Sequence, residues 1–240
     1  MVSLLLLEGE LWKTTQFSNP IYVGDPINAV RIFNELRVDE ILISDIGSSD
    51  KNFKVSFPIL ERIGREAQCP LTYVGGVRSA ETALRINGLG YEKIGVASAL
   101  FDEPETVADM VSKLGAQSVS AVIDVRRRDK QYFATTENGR IFRSELSSHI
   151  KLCSDLRVGE LVINDVDREG SLLGVDKALL KLAHEAMDSP ILMSGGVSSY
   201  EEAEQLVSDG GQVSVAVGSI AVFNGKYRSV LLSYPPRENR

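Results

Sequence analysis

One segment of this chain occurs twice, and the spacing of the copies constrains every fold it can adopt. Residues 70–83 read PLTYVGGVRSAETA and residues 190–203 read PILMSGGVSSYEEA, a displacement of 120 in a chain of 240 residues. The same displacement lays DEILISDI (39–46) on GELVINDV (159–166). With one further residue, IGVAS (94–98) falls on VAVGS (215–219). A period of half the chain describes two similar halves rather than a solenoid of short units. Within each half, short apolar runs alternate with helical patterns, as in βαβ units on a parallel sheet. Four strands per half make eight, and eight βα units in about 250 residues is the size of a (β/α)8 barrel. The expected fold class is α/β: a single (β/α)8 (TIM) barrel domain over residues 1–240, built from half-barrels of about 1–118 and 119–240. Chemistry in such a barrel belongs at the carboxyl ends of its strands.

The apolar runs place strands at 2–7, 40–45, 71–74, 93–97, 119–124, 159–165, 190–194 and 213–217. Each is nearly continuous, as a strand buried on both faces should be. Asp25-Pro26 predicts the start of the first helix, with Asp as N-cap and Pro at N1. Val30, Phe33 and Leu36 then recur at helical spacing. Ser79 predicts the N-cap of the third helix, and Ser199 with Glu202 a capping box for the seventh. Two connections after strands are long, 8–25 and 125–143. The second holds Asn138-Gly139, a hairpin signal. Long loops on that face are expected to act as lids or substrate-binding segments.

Composition excludes several classes of function. The net charge of −7 and dispersed Lys and Arg, apart from Arg126, Arg127 and Arg128, exclude a nucleic-acid binder. Cys69 and Cys153 are the two cysteines and have no paired spacing, so they read as buried thiols in a reducing compartment. The Leu4–Leu7 run is too short for a secretory signal and lacks a basic flank. No window reaches the length of a membrane span. A soluble cytoplasmic protein is expected. No Cys/His cluster has metal-ligand spacing, so no metal and no cofactor are expected, and His149 and His184 read as surface or helix-packing residues.

The strongest chemical signal is the pair of glycine segments. Gly75-Gly76 ends the third strand and Gly195-Gly196 the seventh; Ser98 and Gly218-Ser219 end the strands that follow. Glycine lets backbone N–H groups approach an anion, and the helix behind adds its positive dipole end. Two such sites across one mouth imply an anionic substrate with phosphate at both ends. Carboxylates form the second signal: Asp45, Asp124, Asp165 and Asp167 stand at or just past strand ends. An acid there is costly unless hydrogen bonded or functional. Asp124, closing the apolar run AVID, is the first choice for general acid or base. Asp167 reads equally as a site residue or as a loop anchor. Trp12 either covers the mouth or anchors its loop; Lys13 is either a phosphate or substrate partner or a solvated lysine.

These residues resemble one family along nearly the whole chain: the cyclase subunit of imidazole glycerol phosphate synthase. The resemblance is carried by GDPINAVRIFNE (24–35), DEILISDI (39–46), VGGVRS (74–79), AVID (121–124), GELVINDVDREGSLLGVD (159–176), SGGVSS (194–199) and VAVGSIAVF (215–223). The resemblance implies a lyase-type enzyme subunit of a glutamine amidotransferase in histidine biosynthesis, paired as a heterodimer with a glutaminase subunit. Ammonia would cross the barrel and attack a bis-phosphorylated substrate at the mouth. The family's loop-one lysine falls on Lys13, its strand-two aspartate on Asp45 and its strand-five catalytic aspartate on Asp124. Its phosphate loops fall on Gly76, Ser98, Gly196 and Ser219, and its ammonia gate on Glu40, Lys93 and Glu160.

Three positions depart from that pattern. The family's other catalytic aspartate, at the end of strand one, is Leu5; its strand-four asparagine is Ala97; and the gate's arginine falls before Met1. An acid–base group typically contributes about 10²–10⁴ in rate, so Leu5 puts ordinary cyclase turnover in question. The pattern is similar to divergent cyclase-like proteins found beside surface-polysaccharide genes, which implies ammonia supply for an amidino sugar. Two other expectations stand beside this one: a barrel reduced to ammonia conduit and glutaminase activator, and an isomerase like the phosphoribosyl-formimino sister barrel.

Overall fold

Apolar runs bounded by turns stay strands when other strands flank them and helices cover them. The computed structural model describes residues 1–49, 53–209 and 211–236. In chain order the first part comprises β1 (Val2–Leu7), β2 (Glu10–Thr15), β3 (Ser18–Gly24), α1 (Pro26–Glu35), β4 (Ile41–Asp45) and α2 (Phe57–Glu66). There follow β5 (Leu71–Val74), α3 (Ala80–Asn87), β6 (Lys93–Val96), α4 (Ala99–Asp102) and α5 (Pro104–Leu114). The next part holds β7 (Val119–Arg128), β8 (Gln131–Thr136), β9 (Ile141–Glu145), α6 (Leu146–Asp155), β10 (Glu160–Asp165) and α7 (Lys177–Ala186). The last part holds β11 (Ile191–Ser194), α8 (Tyr200–Asp209), β12 (Val213–Ala216), α9 (Ser219–Val222), β13 (Phe223–Asn224) and β14 (Ser229–Val230). Among the described residues no helix is long and apolar enough to cross a membrane.

The strands β1, β4, β5, β6, β7, β10, β11 and β12 pair in that order, all parallel. The ends then meet: Val2 bridges Val217 in parallel, the Ser3 amide donates to Val217 O at 2.8 Å, and the Val217 amide donates to Met1 O at 3.0 Å. The sheet thus curls into a (β/α)8 barrel, as expected. Each barrel strand lies within two residues of its expected place, except that β7 runs on to Arg128. Beyond Asp124 it leaves the barrel wall and pairs with β8, which pairs with β9, all antiparallel. The other long connection is likewise a hairpin, β2 with β3, lying antiparallel on β1. Asn138-Gly139 does turn the chain between β8 and β9; a second turn, at Asp129 and Lys130 with φ of 50° and 70°, carries no glycine and gave no signal.

Strand alternation sorts side chains into an outer core under the helices and an inner one. The inner core holds Leu42, Val122, Val162, Leu192 and Ala216, with Val74 and Ala97 packed on it. Two residues toward the amino end from Leu42, Val74, Val122 and Val162, and two before Gly95 on β6, the same strands bring Glu40, Thr72, Ser120, Glu160 and Lys93 together. Two residues toward the carboxyl end they bring Ser44, Asp124, Asn164, Ser194 and Gly218. Charge below, an apolar layer between and polar groups above therefore follow from a period of two.

Some helix ends follow the repeat as well, the Ser79 and Ser199 caps and the ends of α1 and α6 among them. Asp25 caps α1, accepting from Asn28 N at 2.8 Å, and Ser79 caps α3, accepting from Thr82 N at 3.1 Å. Ser199 accepts from Glu202 N at 3.2 Å, but Glu202 does not close the expected box. Its carboxylate instead takes Ser198 N at 2.8 Å and Val175 N at 2.9 Å, fastening two mouth loops together. α1 and α6 both end in a Schellman turn. Val38 N donates to Phe33 O and Arg37 N to Asn34 O; Val158 N donates to Cys153 O and Arg157 N to Ser154 O. The left-handed position is Arg37 (φ 54°) in one copy and Arg157 (φ 57°) in the other, where glycine is the usual occupant. A Cβ costs roughly 1 kcal/mol there. Arg157 is exposed, so Arg157→Gly should raise the unfolding free energy by about 1 kcal/mol. A lower denaturation midpoint for that variant would refute the strain argument.

Candidate active site

The carboxyl ends of the strands enclose a cavity of about 520 Å³. Its walls include Leu5, Ser44, Asp124, Asn164 and Ser194 from the strand ends, and Gly75, Gly76, Ser98, Gly195, Gly196, Gly218 and Ser219 from the two repeats. Phe17 of the β2–β3 hairpin, Thr135 to Asn138 and Ile141 of the β8–β9 hairpin, and Leu172 reach it from above. Both long connections thus roof the mouth. Trp12 does not line it: its ring packs edge-on against Tyr22 within the hairpin, 5.4 Å between centroids.

The two glycine segments cross over the strand before them in the same way. A Cβ on Gly75 would lie 2.7 Å from Asp45 Cβ, and one on Gly195 would lie 2.5 Å from Asp165 O. Asp45 and Asp165 are the same residue of the two copies, and each folds an Asx turn. Asp45 Oδ1 accepts from Gly47 N at 3.2 Å, and Asp165 Oδ1 from Asp167 N at 3.1 Å. Burial pushes both carboxyls up to about 6. Asp45, expected at a substrate, does line the cavity, yet its carboxylate is engaged in this turn. Asp167 is not on the cavity wall: it takes Arg126 Nε at 2.8 Å and Arg127 N at 2.9 Å, so it anchors β7 to the β10–α7 loop.

The second glycine site carries a buried cation. Lys13 Nζ donates to Ser3 O at 2.9 Å, and a Cβ on Gly218 would sit 2.5 Å from that nitrogen. Lys13 is therefore not a solvated lysine. Burial pushes its amine down to about 8; Glu169 opposes the shift and Arg228 adds to it. The first glycine site is different. A Cβ on Gly76 would run into the Phe53 ring, so this glycine also makes room for an aromatic cover. Arg78 and Arg143 line the cavity nearby, Arg143 Nη2 being paired with Asp102 Oδ1 at 2.8 Å.

Asp124 lies on the wall with one donor, Asn164 Nδ2, at 2.8 Å from Oδ1. Burial pushes its carboxyl up to about 6, against that hydrogen bond and with help from the charge of Glu169. Strand register gives its counterpart: Leu5 pairs with Ser44 as Asp124 pairs with Asn164, and Ser44 and Asn164 are repeat equivalents. Position for position, one half presents an acid and the other a hydrocarbon. Sequence reasoning missed Asn164, Glu169, Arg78 and Arg143. Parity would have found Asn164, since counting by twos from Glu160 lands on it rather than on Asp165. The others stand on irregular segments with no period to follow.

At the opposite end Glu40, Lys93 and Glu160 form a cluster in which Glu160 is buried and the other two are partly buried. Lys93 Nζ lies 3.0 Å from Glu160 Oε1 and 3.7 Å from Glu40 Oε2. Thr72 Oγ1 donates to Glu40 at 2.7 Å and Ser120 Oγ to Glu160 at 2.9 Å. Burial alone would lower the proton affinity of Lys93, but the two glutamates outweigh it and the net shift is upward. Among the described residues no group of three or more His, Cys, Asp or Glu could hold a metal ion. His149 is buried away from the cavity, stacked on Phe101 at 4.0 Å, and burial with nearby Arg143 pushes it down to about 4.

Comparison with known proteins agrees with this arrangement. The chain is 36% identical, over 97% of its length and 92% of the relative's, to a Leptospira borgpetersenii protein provisionally named imidazole glycerol phosphate synthase subunit HisF. It is 35% identical, over 99% of its length and 93% of the relative's, to a Vibrio vulnificus protein provisionally named subunit hisF3 of the same synthase. The imidazole glycerol phosphate synthase subunit HisF of Thermococcus gammatolerans is 29% identical over 90% of this chain and 86% of its own. The histidine biosynthesis protein family matches residues 3–228. The chain, a divergent HisF-like barrel, belongs to that family.

Proposed function

We propose that this chain is an ammonia-using enzyme subunit of the imidazole glycerol phosphate synthase type. It would take ammonia from a glutaminase docked at the amino-terminal face of the barrel and deliver it to a bis-phosphorylated substrate in the mouth. One observation supports this above the rest. A single axis joins the ring Glu40–Lys93–Glu160, the apolar layer of Leu42, Val122, Val162 and Leu192, and a cavity edged by two glycine loops on opposite sides. A neutral molecule such as ammonia can cross an apolar layer; ammonium cannot without a large desolvation cost. In the mouth, Gly76 with Ser98 and Gly196 with Ser219 would hold the two phosphates by backbone N–H groups, and Lys13 would add a cation at the second. Gly75, Gly195 and Gly218 let those loops approach. Asp124 would act as the proton-transfer group beside the electrophilic carbon.

A second reading has its own support. Leu5 stands where the repeat would put a partner for Asp124, so the barrel would conduct ammonia and activate a glutaminase while another acceptor takes the ammonia, as in amidino-sugar synthesis. The acceptor separates the two readings: turnover of the bis-phosphorylated substrate with ammonium salt supports the first, and its absence with intact glutaminase activation supports the second.

Two measurements test the site itself. Phosphate titration followed by phosphorus resonance, with a soaked crystal, should reveal two anion sites, one at Gly76/Ser98 and one at Gly196/Ser219. Affinity at the second should fall as pH rises through about 8, because Lys13 loses its charge there. No anion at either loop, or a second site indifferent to pH between 7 and 9, would refute it. For the lower face, Lys93→Glu puts a third carboxylate where two already stand. The expected result is glutamine hydrolysis that no longer drives ammonia-dependent turnover, while turnover with added ammonium salt persists. Unchanged coupling would remove the ring from the account.

A further inference from the structure

The two halves of the barrel present unequal chemistry at the same place. Because Leu5 is the register equivalent of Asp124, no carboxylate faces Asp124 from β1. The cavity wall supplies one from another element. Glu169, on the loop between β10 and α7, lines the same cavity as Asp124 and Lys13. The three groups sense one another: the charge of Glu169 raises the proton affinity of Asp124, and Lys13 and Glu169 each favour the other's charged form. Lys13 from β2 and Asp124 from β7 are the ionisable groups that face Glu169, and Arg228 faces Lys13 in turn.

Glu169 is also held in position. Its Oε1 accepts from Thr14 Oγ1 at 3.2 Å and its Oε2 from Phe17 N at 3.2 Å, while its carbonyl takes the Gln16 amide at 3.0 Å. Each carboxylate oxygen keeps acceptor capacity for a substrate proton. Of the other acids on the wall, Asp45 is committed to its turn with Gly47, Asp102 to Arg143, and Glu137 stands exposed on the β8–β9 hairpin. Burial raises the proton affinity of both acids and prevails at both, but two donors and a cation oppose it at Glu169, whereas at Asp124, among the described residues, Asn164 alone does. Paired acids whose surroundings differ in this way divide the roles of base and acid.

We propose that Glu169 is the second proton-transfer group of this site, the base that works with Asp124 as acid, and that Lys13 is the positioning residue that keeps Glu169 charged. The proposal rests on the ammonia-using reading above. As the ammonia lone pair forms a C–N bond to a carbonyl carbon, the C=O π pair moves to oxygen, which takes the proton of Asp124. Glu169 takes a proton from the new ammonium nitrogen. Loss of water runs both transfers back. Glu169 returns its proton to the departing hydroxyl as the C–O bond breaks, the nitrogen lone pair forms C=N, and Asp124 recovers a proton from that nitrogen. Both carboxyl groups end as they began, and the balance is ammonia plus carbonyl to imine plus water.

Carbon-13 carboxyl titration of the wild type, Glu169→Gln and Asp124→Asn tests the pair without substrate. The expected result is that the Asp124 titration moves down in Glu169→Gln, and that the Glu169 titration moves down in Asp124→Asn. Turnover of the bis-phosphorylated synthase substrate with ammonium salt, followed against pH, tests the role. A two-limbed profile should lose its acid limb in Glu169→Gln, with kcat down by about 10²–10⁴, and Glu169→Asp should recover part of the rate with both limbs. Independent titrations overturn the role of Glu169 whatever the turnover, as does a Glu169→Gln enzyme with full rate and both limbs. A wild type that does not turn over this substrate overturns the ammonia-using reading itself, and with it the catalytic role of Glu169.

Discussion

Closure of β1 onto β12 is the constraint on which the rest depends. Two backbone hydrogen bonds between Met1, Ser3 and Val217 turn an open parallel sheet into a barrel. Once it is closed, alternating side chains have nowhere to go but an interior stack. The stack then fixes what each level can do. Gly95 shows how little space the middle level leaves, since a Cβ there would lie 2.5 Å from Val74 Cγ2 and 2.9 Å from Val122 Cγ2. Charges gather at the amino end, where Lys93 is shared by two glutamates that are otherwise costly to bury. At the other end the wall opens, and the strands hand over to loops that can vary without disturbing the barrel.

Duplication supplies the frame, and divergence between its copies makes the two sides of the candidate site unequal. Asp45 and Asp165 keep the same turn, Gly75 and Gly195 the same crossing, and Arg37 and Arg157 the same strained helix end. These shared features hold the loops in place. The group proposed for proton transfer and several of its neighbours on the wall are ones that differ: Asp124 against Leu5, Asn164 against Ser44, and Arg78 against Ser198. Lys13 and Glu169 come from insertions and loops outside the repeat, and they meet because the β2–β3 hairpin is latched to the β10–α7 loop through Gln16, Phe17 and Thr14. The carboxylate that latches the roof is thus the one proposed to move protons beneath it.

Much of this was legible in the sequence, for a physical reason. Strands buried on both faces must be apolar throughout, so their positions stand out, and the displacement of 120 residues carried each one to its partner. Glycines needed for close crossings are equally visible. What could not be read was direction and detour. Asp165 and Asn164 are adjacent letters, yet one folds a turn and the other reaches Asp124. Asp167 and Glu169 stand two apart on one irregular loop, one turned to Arg126 and the other to the cavity. The Schellman turns were hidden because arginine occupies the position that glycine usually marks.

Whether ammonia travels along the barrel axis is the centre of this account. The direct measurement is isotope transfer in the complex with a glutaminase, using glutamine labelled with nitrogen-15 in the side-chain amide and a large excess of unlabelled ammonium in solution. The account predicts that the product formed at the mouth carries the label in nearly every molecule, because ammonia released below the ring passes Lys93 without mixing with solvent. A product labelled only in proportion to its share of the free ammonia pool would contradict it.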